Sequence, residues 1–188
     1  MLTTGIYGGS FNPIHVGHTA LAEWLVREGY VDELWLMVSP QNPLKVNAEL
    51  MPEALRLRLA RLAVEGLKGV RVTDFECRLP RPSYMVYTLA ALRVTYPERE
   101  FVLVIGADNW QRFSQWHHAD EILAHHRVIV YPRPGTELNP ADLPHGVQLV
   151  DAPLFDISST EIREAIANDP SYDGRGLAPA VWDSLRND

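Results

Sequence analysis

An alternation constrains this chain more than any other feature of its sequence. Short apolar runs are separated repeatedly by segments whose apolar residues recur at helical spacing. Leu2 to Tyr7, Val31 to Ser39, Val70 to Phe75, Phe101 to Ile105, Arg127 to Tyr131 and Val147 to Asp151 are the runs. They are short, rich in Val, Ile, Leu and aromatic residues, and read as strands. His18 to Glu28, with Leu21, Trp24 and Leu25 on one face, precedes Gly29 and reads as a helix. A second helix opens at Pro52 with Leu55, Leu59, Leu62 and Ala63; others span Tyr84–Tyr96, Ser159–Ala167 and Pro179–Leu185. Strands joined through helices run parallel, with right-handed crossovers. The expected fold is α/β: a doubly wound parallel sheet forming a single domain over residues 1–188, with the C-terminal helical part 159–188 packed on it. No repeat or linker interrupts it, and the proline-rich stretch Pro132–Pro144 reads as one surface loop of unassigned role.

In such sheets ligands sit beyond the C-terminal strand ends, near the point where strand order reverses. The chemically distinctive residues fall there. Gly8-Gly9-Ser10-Phe11-Asn12-Pro13-Ile14-His15-Val16-Gly17-His18 follows the first strand and leads into a helix. A turn of this kind presents unpaired backbone N–H groups to anions, and glycine lets a phosphate approach the backbone closely. His15 and His18, three residues apart, read as phosphate donors, as a partial metal site, or as a pair satisfying the helix end. Near the C-terminus, Ser158 and Glu161 fit a capping box. Ser159, Thr160 and Arg163 then remain as a phosphate clamp, since arginine is always charged and can bind in bidentate fashion.

These residues carry a family resemblance. Gly8 to His18 resembles the signature G-G-[ST]-F-[DN]-P-[IP]-H-x-G-H of the nucleotidyltransferases, and in particular of the bacterial nicotinate-nucleotide adenylyltransferases. Ile157-Ser158-Ser159-Thr160-Glu161-Ile162-Arg163 is similar to the I-S-[SA]-T-x-[IL]-R motif of the same family. The likeness runs from Ile6 to Leu185 with motifs in the expected order. It implies a Rossmann-like nucleotidyltransferase fold and an enzyme that moves AMP from ATP to nicotinate mononucleotide, with Mg²⁺ accompanying ATP. It implies catalytic roles for His15, His18, Lys45 and Arg163. It implies ATP binding by Gly8, Gly9, Ser10, Phe11, His15, His18, Gly106, Asp108, Arg133, Ser159, Thr160 and Arg163. Gly106-Ala107-Asp108 matches the family's G-x-D, and Arg133 its R-R-P-G loop. Nicotinate mononucleotide falls to Lys45, Ser83, Tyr84, Met85 and Trp116, with Trp116 stacking on the pyridine and the Ser83–Met85 backbone taking the carboxylate. The resemblance implies no protein-held metal site.

Two departures bear on substrate choice. The family's P-P-H-K loop reads Asn42-Pro43-Leu44-Lys45, and its S-Y-T reads Ser83-Tyr84-Met85. Nicotinate against nicotinamide mononucleotide therefore stays open. Phosphopantetheine is a rival acceptor on the same fold, and a non-catalytic nucleotide sensor is a rival of another class. An aminoacyl-tRNA synthetase, which shares H-x-G-H, would need a much longer chain.

Composition narrows the partners. A net charge of −7 argues against a general nucleic-acid binder, though not against small anionic substrates at a local positive site. Cys77 is the single cysteine, which fits a reducing cytoplasm and a structural thiol. No signal peptide or membrane-length apolar run is present, so a cytoplasmic protein with no membrane partner is expected. The sequence is compatible with a homo-oligomer and is silent on regulation. His117-His118 and His125-His126 lack the ligand spacing of metal sites. Arg56, Arg58 and Arg61 read as a solvated helix face.

Overall fold

The computed structural model describes residues 1–40 and 50–188. Its strands are β1 (Leu2–Gly9), β2 (Glu33–Val38), β3 (Val70–Thr73), β4 (Arg99–Gly106), β5 (Val128–Tyr131) and β6 (Val147–Leu149). They form one sheet in the order β3-β2-β1-β4-β5-β6, with every adjacent pair parallel. Strand order reverses between β1 and β4, so the doubly wound, Rossmann-like reading of the sequence holds. The helices are α1 (Val16–Arg27), α2 (Glu53–Val64), α3 (Met85–Thr95), α4 (Ala107–Gln111), α5 (Ala119–His125), α6 (Ser159–Asn168) and α7 (Pro179–Arg186). The short helices after β4 leave no clear mark in the sequence. The four polar or small residues of Ala107–Gln111 give no apolar period long enough to detect.

Strand parity sorts the core into two layers. On β2, Leu34, Leu36 and Val38 face one layer, where Leu21 and Leu25 of α1, Leu59 of α2, Ile162 of α6 and Val181 of α7 pack. Trp35 and Met37 face the other, with Val86, Leu89 and Leu92 of α3 and Ile122 of α5. Burial on both faces explains why these strands read as continuous apolar runs. The 159–188 segment shares the first layer through Ile162, Leu177 and Val181. Its Gly176 carbonyl also accepts from the Val16 N–H at the start of α1, at 2.8 Å.

One reading of α2 is corrected. Arg58 and Arg61 are exposed, pairing with Asp188 and Asp74, but Arg56 is only 2% exposed. Its guanidinium donates to the carbonyls of Ser10 (2.8 Å), Ser39 (2.7 Å) and Met51 (2.9 Å), with Pro40 at 3.5 Å. The helical period alone could not reveal this, because the acceptors lie in loops distant in sequence. Burial lowers the Arg56 pKa, yet a guanidinium stays protonated at neutral pH. Replacing it leaves several buried carbonyls without donors. Arg56→Met is expected to lower the unfolding free energy by about 3 kcal/mol or more, read by urea denaturation. Arg56→Lys is expected to recover only part of that loss, because an ammonium lacks the rigid fork.

Candidate active site

The signature loop is built before any ligand arrives. After β1, Phe11 takes a left-handed backbone (φ 46°), uncommon for a residue with a bulky side chain. Burial holds it there: the ring packs edge-on against Tyr7 at 5.6 Å and His18 at 4.9 Å. Gly9 makes this possible, since a Cβ there would lie 3.2 Å from the Phe11 ring. The space next to Gly8 is likewise taken by the Met85 methyl, 3.1 Å from where a Cβ would stand. The glycine pair thus leaves room for Phe11 and Met85.

The two histidines cap α1 with each other. His15 Nδ1 accepts from the Gly17 N–H and His18 Nδ1 accepts from the His15 N–H, each at 3.1 Å. Their rings stack with centroids 3.6 Å apart. The capping reading of His-x-x-His is therefore correct, and it does not compete with phosphate binding. A backbone N–H on Nδ1 requires that nitrogen to be unprotonated, so each neutral ring carries its proton on Nε2 as a donor. Burial, aided by Arg133, pushes the His15 pKa down to about 4. Its imidazole is thus neutral throughout the physiological range. Of the capping box read at Ser158 and Glu161, the described contacts include one half, the Ser158 hydroxyl accepting from the Glu161 N–H at 3.4 Å.

Two adjoining clefts open above the switch point. The first is lined by Gly8, Gly9, Ser10, Phe11, His15 and His18, by Asp108 and Arg133, and by Ser159, Thr160 and Arg163. Residues read as ATP ligands from four separate segments therefore meet. Gly106 lies beneath them: a Cβ there would fall 2.6 Å from Asp108 and 2.9 Å from Arg133. Two of these side chains also hold the cleft together. Ser159 Oγ donates to the Pro13 carbonyl and Arg163 Nη1 to the Asn12 carbonyl, both at 2.8 Å. Arg163 Nη2 reaches the Thr160 hydroxyl at 3.4 Å. Arg112, unassigned by the sequence, adds a third guanidinium to Arg133 and Arg163. Asp108 is the only carboxylate lining this cleft among the described residues, so a net positive site sits in an acidic chain. The Ser10 hydroxyl is buried there without a partner among the described residues.

The second cleft holds a cavity of roughly 120 Å³. Ser83, Tyr84, Met85 and Trp116 all line it. Tyr84 is the residue that precedes α3, so the first amides of that helix face this end. The Ser83 hydroxyl is turned inward, donating to Glu76 Oε1 at 2.8 Å. Burial raises the Glu76 pKa, and this serine partly offsets the effect. Tyr84 stacks on His117 at 4.4 Å, and Tyr87 holds the same imidazole at 3.0 Å from its hydroxyl. Lys45 lies outside the described residues. Among the described residues, no three His, Cys, Asp or Glu side chains are grouped to hold a metal. Cys77 donates to the Val38 carbonyl at 3.4 Å and burial pushes its thiol up to about 11, which makes it unreactive at neutral pH. No helix among the described residues is long and apolar enough to cross a membrane.

Sequence reasoning missed several lining residues: Tyr7, Glu76, Asn109, Arg112, His117 and Tyr131. Tyr131 ends β5 and Tyr7 lies two residues before the end of β1, and both look like ordinary strand residues. Their position at the C-terminal edge was the available signal.

Known proteins resemble this chain in both sequence and fold. The sequence profile of the cytidylyltransferase-like family matches residues 6–165. A Bacteroides thetaiotaomicron protein named "probable nicotinate-nucleotide adenylyltransferase" is 53% identical over 98% of this chain and 91% of its own length. A Porphyromonas gingivalis protein of the same name is 44% identical over 88% of this chain and 84% of its own. The solved structure of the Plasmodium falciparum nicotinic acid mononucleotide adenylyltransferase complexed with NaAD superposes with a TM-score of 0.82. The match covers 100% of this chain and 96% of that one at 16% identity, a likeness of fold.

The His15 environment has a consequence for stability. Between pH 6.5 and about 4 the unfolded chain binds a proton at this residue that the folded chain refuses. Stability therefore falls as pH drops through that window, by on the order of 3 kcal/mol from this group. His15→Asn, which keeps a capping acceptor, is expected to lose less stability between pH 7 and pH 4.5 than the wild type. Urea denaturation at the two pH values checks it.

Proposed function

The chain belongs to the cytidylyltransferase-like family, and from that premise we propose that it transfers AMP from ATP to nicotinate mononucleotide. The products are nicotinate adenine dinucleotide and pyrophosphate, a step of NAD biosynthesis. The observation that carries this reading is the pairing of two joined clefts: one cationic and lined by the signature residues, the other aromatic and closed by the amides opening α3. The names of the relatives, at up to 53% identity, support the same reaction.

The chemistry asks little of an enzyme nucleophile. The attacking group is a phosphate whose second pKa lies near ~6, so it is mostly dianionic at neutral pH. Positioning and charge stabilisation in an in-line displacement remain for the protein. His15 and His18 present Nε2–H donors to ATP phosphate oxygens, with His18 nearest the α-phosphate. Because His15 is neutral, it donates without titrating across the working pH range. Arg163, Thr160 and Arg133 hold the departing pyrophosphate, and Ser159 fixes the loop they share. Gly8, Gly9, Ser10 and Phe11 supply the backbone rim, and Gly106 allows Asp108 and Arg133 to close over it. Lys45 is assigned to the phosphates or the incoming mononucleotide by its motif alone.

Mg²⁺ would come with ATP and be held chiefly by ATP oxygens, with few protein ligands required. Asp108, the one carboxylate lining the phosphate cleft among the described residues, is paired with Arg133 at 3.7 Å. Mg²⁺ bound in this way would supply charge neutralisation across the triphosphate.

In the second cleft, Trp116 offers its face to the pyridine, and the α3 amides at Tyr84 and Met85 favour a carboxylate over a neutral amide. The Ser83 hydroxyl, spent on Glu76, supports that turn from beneath.

Pyrophosphate release from Mg-ATP, with nicotinate mononucleotide, nicotinamide mononucleotide and phosphopantetheine offered separately, tests the reading. Strong preference for the nicotinate form is expected. Preference for the amide would overturn the specificity, and ATP binding without release for all three would overturn the reaction. His18→Ala is expected to lower turnover by ~10²-fold or more while the fold stays intact. Turnover at the wild-type rate would remove the role given to His18.

A further inference from the structure

The two clefts share part of their wall. Tyr7, Gly8, Gly9, Asn109 and Tyr131 line both. If one cleft takes ATP and the other the mononucleotide, the reacting phosphates meet against this shared surface. Of its five residues, three carry side-chain hydrogen-bond donors: Tyr7, Asn109 and Tyr131.

The tyrosines act as one unit. The Tyr131 hydroxyl donates to the Tyr7 hydroxyl at 3.3 Å, and the rings meet edge to face at 5.6 Å. They come from strands on either side of β4, so the pair bridges over it at the switch point. Burial raises both pKa values, and both phenols are protonated at any physiological pH. Two hydroxyls joined by one hydrogen bond keep a second O–H proton, which has no acceptor among the described residues. The Asn109 carboxamide, at the start of α4, also has no side-chain hydrogen bond there, although it is half-buried and faces both clefts.

Charge is distributed unevenly around this surface. Arg112, Arg133 and Arg163 line only the phosphate cleft, and among the described residues the shared wall carries no charged side chain. The partition suits the reaction. Neutral donors can follow charge as it develops on the α-phosphate oxygens without competing for the attacking dianion.

We propose that the Tyr7–Tyr131 hydroxyl pair and the Asn109 carboxamide form a neutral shelf that hydrogen-bonds the non-bridging oxygens of the transferring phosphoryl group. A mononucleotide phosphate oxygen attacks the α-phosphorus, forming the new P–O bond. The bond from that phosphorus to the β-phosphate oxygen breaks, and its electron pair leaves with pyrophosphate. The shelf exchanges no proton with either partner. It acts on charge and geometry alone. This inference rests on the AMP-transfer reading above.

The experiment compares wild type, Tyr7→Phe, Tyr131→Phe, the double Tyr7→Phe/Tyr131→Phe and Asn109→Ala in steady-state pyrophosphate release with Mg-ATP and nicotinate mononucleotide. Tyr7→Phe and Asn109→Ala are each expected to lower kcat by ~10-fold or more, less than the ~10²-fold cost of a lone donor because the remaining shelf donors share the charge. KM for either substrate is expected to move less than ~3-fold, because the donors act in the transition state. The double tyrosine variant is expected to be no worse than the more impaired single, since paired groups are non-additive. An active wild type whose Tyr7→Phe and Asn109→Ala variants turn over at full rate would overturn the shelf and leave the reaction standing. So would a loss confined to KM, or one matched by lost thermal stability. A wild type silent with every acceptor would overturn the reaction itself and the shelf with it.

Discussion

The site depends on one buried cation. Arg56 reaches out of α2 and donates to backbone carbonyls of three separate segments: Ser10 after β1, Ser39 and Pro40 after β2, and Met51 before α2. A guanidinium in a nearly solvent-free position is costly unless its donors are filled. Carbonyls fill them here, and no carboxylate takes part among the described residues. A carboxylate would neutralise the charge, but it would tie the arginine to one side chain. Carbonyl acceptors tie it to the chain's path instead. The loop that opens the phosphate cleft is thereby fixed to the exit of its neighbouring strand.

From that anchor the loop is determined stepwise. Ser10 is held, Phe11 turns left-handed beside it, and its ring lodges between Tyr7 and His18. His18 caps the His15 N–H, and His15 caps Gly17. A Cβ at Gly17 would lie 2.9 Å from the His15 ring, so glycine is what lets that ring fold over the helix end. From the other side, Ser159 and Arg163 of α6 grasp the Pro13 and Asn12 carbonyls. The donors proposed to meet a phosphate are therefore set by contacts that exist without it. Such preorganisation spares the reaction the cost of aligning dipoles as charge develops.

Much of this was legible in the sequence, for physical reasons that differ by residue. The sheet was legible because strands buried on both faces are continuous apolar runs, and β2 from Glu33 to Val38 is buried at every position. The two loop motifs were legible as helix starts because capping acts over a few neighbouring residues. Arg56 was misread because helical period reports only the side of a helix, and its acceptors lie up to 46 residues away in sequence. Tyr7 and Tyr131 escape notice for a related reason. Each looks like an ordinary strand residue, and their meeting depends on strand order, with a sequence separation of 124.

The second cleft was the least legible part, and its packing explains why. In the sequence, Met85 appears as a lost hydroxyl in a binding turn. In the structure its methyl occupies the space that a side chain at position 8 would need, at 3.1 Å from where that Cβ would stand. Gly8 belongs to the signature loop, whereas Met85 opens α3 on the opposite layer of the sheet. The identity of residue 85 is therefore coupled to the absence of a side chain at residue 8, and through it to the wall both clefts share. A thermodynamic effect of changing Met85 would spread to the phosphate side, because contacting residues are not additive. The turn proposed to choose the acceptor is thereby in contact with the wall both clefts share, through the Met85 methyl beside Gly8.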